Sequence, residues 1–112
     1  MKTTDEKRSS QRLAAVHPQA MERYQRMRAL VMPAPGVDPA QCEVVLAMQL
    51  GVLGLEVPFK VHAMRAMALH VTHGQLQGLL LASPSVTRLS AQAGRALGWL
   101  DEARDEQPQA AA

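Results

Sequence analysis

The chain has 112 residues, with 12 Lys and Arg against 10 Asp and Glu, a single Cys, and three aromatic residues, Tyr24, Phe59 and Trp99. That length supports one domain, and an apolar share of 47%, mostly Leu, Ala, Val and Met, can bury a core; global disorder and an all-β sandwich are both excluded. A net charge of +2 argues against a nucleic-acid partner, and one cysteine can form neither an intramolecular disulfide nor a CxxC pair, so a reducing, cytoplasmic location is expected.

Residues 1–12 carry no hydrophobic period and mix both charge signs, the composition of a disordered leader with no signal-peptide character. From Pro18 to Met32 the apolar residues Ala20, Met21, Tyr24, Met27, Leu30 and Val31 recur at spacings of three and four, which predicts a first helix. Pro33, Pro35 and Gly36 stop it. Asp38 followed by Pro39 is a cap-then-proline start, so a second helix runs to about Leu53. It is apolar on nearly every side and is expected at the centre. Its apolar run is interrupted by Gln49 and closed by Glu56, well short of the roughly 20 residues that span a bilayer, so no membrane association is expected.

Pro58 opens a third helix, to about Leu69. Thr72 and Gln75 have capping-box spacing and open a fourth, from His73 to Ala82. Ser83-Pro84 repeats the cap-then-proline signal and predicts a fifth helix to Arg104, with Val86, Leu89, Ala93, Ala96, Leu97 and Leu100 inward. Residues 105–112 read as a disordered tail. The expectation is an all-α, single-domain bundle of about five helices over residues 13–104. A chain this short with helices apolar on more than one side is expected to cover the excess by self-association.

Two residues break the pattern. Glu43 lies on the second helix at spacings of three, four and seven from Leu46, Ala47 and Leu50, where an apolar side chain is expected. A carboxylate there is a first-turn residue favoured by the helix dipole, or it is paired or functional. His62 shares a face of the third helix with Ala66 and Leu69, which makes it a hydrogen-bonded core residue or a catalyst. Arg65, one turn later, is a salt-bridged surface residue or a clamp for a substrate carboxylate. No histidine pair has the four-residue spacing of a helical metal site, so no metal is expected, and Cys42 reads as a small buried hydrophobe.

Glu43-Val44-Val45-Leu46-Ala47, His62-Ala63-Met64-Arg65-Ala66 and the capped stretch from Val71 to Leu80 together resemble the carboxymuconolactone decarboxylase family, which includes the alkylhydroperoxidase D-like proteins. The resemblance covers Cys42 to about Leu100. It implies an alkylhydroperoxidase D-like fold, assembly as a homotrimer or homohexamer, and Glu43 and His62 as catalytic residues. Arg65 becomes a substrate-binding candidate. The chain also departs from the family: Leu55 and Pro58 stand where the peroxidase branch has its two cysteines, so thiol peroxide reduction is disfavoured. Leu81 replaces a late histidine, and His70 stands where a glycine usually ends the third helix. The expected function is cofactor-independent acid–base chemistry, decarboxylation or isomerisation, on a small carboxylated or carbonyl-containing substrate. The alternative is a non-catalytic helical oligomer that binds a small ligand or a protein partner.

Overall fold

A computed structural model describes residues 11–84, 86 and 89–107. The regular structure among them is helical, with a short segment at residues 11–16 followed by α1 (Pro18–Val31), α2 (Pro39–Leu53), α3 (Glu56–Ala68), α4 (His73–Leu81) and α5 (Ser90–Glu106). No strand occurs among the described residues, and no helix is long and apolar enough to cross a membrane. Gln11 and Arg12, read as leader, are helical, as are Asp105 and Glu106 at the other end; residues 1–10 and 108–112 lie outside the described residues.

Local chemistry sets the helix ends. His17 accepts the Ala20 N–H through Nδ1 at 3.1 Å and Pro18 takes the first position of α1, where no donor is needed. Asp38 and Pro39 do the same for α2, which closes on Gly54 in the left-handed conformation at φ 74°. The expected capping box is present at α4: Gln75 N–H donates to Thr72 Oγ1 at 3.0 Å, and Thr72 N–H donates to Gln75 Oε1 at 2.9 Å. Between α3 and α4 the chain makes a Schellman turn, with Val71 N–H on Ala66 O and His70 N–H on Met67 O. The residue that turns left-handed there is His70, at φ 75°.

The core is built from α2 to α5: Ala47 on α2, Phe59, Ala63 and Ala66 on α3, Leu76 and Leu80 on α4, and Ala96, Leu100 and Ala103 on α5. Alanines dominate the seams, so the helix backbones approach closely around a few large side chains, among them Phe59, whose ring meets Trp99 at 6.0 Å and 56°. Three expectations are corrected. The fifth helix begins at Ser90, because the Ser83 hydroxyl turns back to donate to Leu80 O at 2.6 Å and closes α4. Val86 and Leu89, expected inward, therefore lie ahead of the helix and are exposed. The second helix is less central than its composition predicts: it buries only the seam Glu43, Ala47 and Gly51 and leaves Val45, Val52 and Leu53 in solvent.

Candidate functional site

α2 and α3 are joined by Gly54 and Leu55 and pack closely side by side. Small residues make this possible, since Ala47 and Gly51 on α2 and Ala63 and Ala66 on α3 are buried. Glu43 occupies the same buried seam one turn before Ala47. The carboxylate is thereby carried into the α2–α3 interface, where His62 meets it: His62 Nδ1 lies 2.6 Å from Glu43 Oε2. The two side chains are 13% and 11% exposed, respectively.

A carboxylate oxygen accepts, so Nδ1 is the donor of this bond, and in the neutral ring Nε2 is then the acceptor. Partial exclusion of water strengthens the bond and fixes the plane of the ring. The arrangement is an oriented imidazole whose second nitrogen can take up and return a proton, which is the minimum that general acid–base chemistry needs. The other candidates do not join it. Arg65 is exposed and forms no hydrogen bond or ion pair with either residue. Cys42 is half-buried and lines an apolar groove of about 260 Å³ together with Met32, Ala34, Val37, Val45 and Leu46.

Two polar pairings were not foreseen in the sequence. Lys60 is 1% exposed and its ammonium sits among three carboxylates, 2.6 Å from Glu102, 3.5 Å from Glu106 and 3.6 Å from Glu56. The signal available was Glu56, one turn before Lys60, together with the pair Glu102 and Glu106 at the same spacing on the last helix. His73, in the first turn of α4, meets Asp101 of α5 at 2.8 Å. Both contacts bind α5 to the helices before it. Among the described residues no group of three or more His, Cys, Asp or Glu side chains could hold a metal ion. Comparison of the chain with family models, with curated proteins and with solved structures finds no match.

Proposed function

We propose that the chain is a self-associating, alkylhydroperoxidase D-like member of the carboxymuconolactone decarboxylase family that uses Glu43 and His62 for cofactor-independent acid–base chemistry on a small carboxylated or carbonyl-containing molecule. The observation that carries the reading is the 2.6 Å contact between a carboxylate and an imidazole drawn from two different helices. With Nδ1 held by Glu43, Nε2 removes a proton from the carbon beside a carbonyl, leaving an enolate. Return of that proton to another carbon completes an isomerisation. In a decarboxylation Nε2 first takes the proton of the substrate's carboxylic acid, the carbon–carbon bond breaks with its electron pair left on the substrate, carbon dioxide departs, and the imidazolium so formed returns that proton to the carbanion. Arg65 has a supporting place in this reading only if a substrate carboxylate bridges it to the pair.

The enclosure of the pair favours a second reading, in which Glu43 and His62 tie α2 to α3 and the assembled protein binds a ligand or partner without chemistry. Turnover and unfolding measured on the same two variants separate the readings. With a panel of lactone carboxylic acids and 3-oxo acids, the catalytic reading expects Glu43→Gln and His62→Ala to lower turnover by about 10²–10⁴-fold while the melting temperature is kept. The structural reading expects each variant to lose about 1–3 kcal/mol of stability, because the remaining partner is left unsatisfied. Unchanged turnover in either variant removes that residue from the mechanism.

A further inference from the structure

α1 is a well-capped helix of 14 residues with no buried residue. Most of its apolar side chains, expected to face a core, are in solvent: Tyr24 is 53% exposed, Leu30 79% and Val31 47%, with Met21 half-buried, and Leu13 and Val16 of the preceding segment are exposed too. A helix of this length is marginal in water on its own, and its stability must come from packing its apolar face. Among the described residues no extensive packing joins that face to another helix of its own chain. The chain exposes further apolar side chains on α2, Val45, Val52 and Leu53, and Val45 also lines the groove beside Cys42.

Charge decides what fits on α1. Residues 1–32 hold seven Lys and Arg against three Asp and Glu, whereas residues 33–112 hold five against seven. Glu22, the one acidic residue of the described arm, is taken up by Arg26 at 2.6 Å. Two such arms repel each other, and an arm is attracted to the body. α2 contains no Lys or Arg, and the exposed Asp38 caps its first turn. We infer that residues 11–31 are an exchange arm, whose apolar face seats on the outer face of α2 in a second copy of this chain. When the exchange is reciprocal each copy gives one arm and receives one, so a single contact type covers both exposed faces. The inference rests on the self-association part of the proposed function and not on the chemistry of Glu43 and His62.

The native Cys42 supplies the test. In the full chain carrying Tyr24→Cys, a short bismaleimide is expected to link position 24 of one copy to Cys42 of another, giving a species of twice the chain mass that is lost when Cys42→Ala is added. A double variant, Tyr24→Asp with Met27→Asp, is expected to raise the dissociation constant by at least about 100-fold in sedimentation equilibrium while the core keeps its melting transition. A linked species that persists without Cys42 shows arm on arm and overturns the inference, as does a crosslink within one chain. An assembly that survives the double Asp variant also overturns it while leaving self-association standing. A wild-type chain that is monomeric at concentrations on the order of 10 μM overturns both.

Discussion

Lys60 is the residue at which burial and charge are most at odds. An ammonium that is 1% exposed is tolerated only because Glu102, Glu106 and Glu56 surround it, and those carboxylates in turn stay close to one another only because it is there. Lys60→Met keeps most of the volume and removes the charge. It is expected to cost about 2–3 kcal/mol in urea unfolding, below the range for a fully enclosed pair since the carboxylates reach solvent. Adding Glu102→Gln should return part of the loss, whereas a Lys60 that merely fills space would show no such coupling. His70 makes the opposite case. It holds a left-handed φ of 75° inside the Schellman turn, a conformation glycine adopts without the Cβ clash. His70→Gly is expected to stabilise the fold by about 0.5–1 kcal/mol in the same assay, and a destabilisation would show that the imidazole contributes more than its backbone costs. The Glu43 and His62 pair was legible because each residue interrupts an apolar stripe at helical spacing. Lys60 was not, because two of its partners lie on the last helix, which only the packing of α5 on α3 brings near.

At the scale of elements, starts and stops encoded within three or four residues were readable and choices between neighbouring signals were not. The Thr72 and Gln75 box and the Asp38-Pro39 start depend on bonds inside their own turns. Ser83-Pro84 carries the same cap-then-proline signal as Asp38-Pro39, yet its hydroxyl has a buried carbonyl behind it at Leu80 and closes the earlier helix. α5 consequently starts on Leu89, an extended residue 72% exposed whose N–H is satisfied by Gln92 Oε1 at 2.9 Å while its own side chain caps nothing. Half of a capping box is already in place. Leu89→Ser supplies the missing acceptor, with an expected gain of about 0.5–1 kcal/mol in thermal unfolding. No gain would mean that the apolar side chain at position 89 contributes as much as the added cap, so the variant also reports on that surface.

At the scale of the molecule, hydrophobic periodicity identified α1 as a helix with one apolar side but carried no information about which chain covers that side. The spacing of Met21, Tyr24 and Met27 is the same whether the helix packs on its own body or on another. The core makes the difference, since α2 to α5 close around alanine seams that take in no residue of α1. Stability should then depend on concentration. If α1 and the outer face of α2 are covered only in the assembly, unfolding releases subunits, and dilution favours the unfolded chain by mass action. Calorimetry at two concentrations a hundredfold apart is expected to show the higher melting temperature in the more concentrated sample, the assembly gaining about 2.7 kcal/mol per hundredfold in free subunit. A melting temperature independent of concentration, with calorimetric and van't Hoff enthalpies equal, would mean that the four-helix core is stable alone and that α1 is dispensable to it. The double Asp variant of α1 distinguishes the source of any dependence. Covered by a partner's body, the arm transmits the substitution into the concentration dependence and flattens it; lying free, it leaves the dependence as in the wild type.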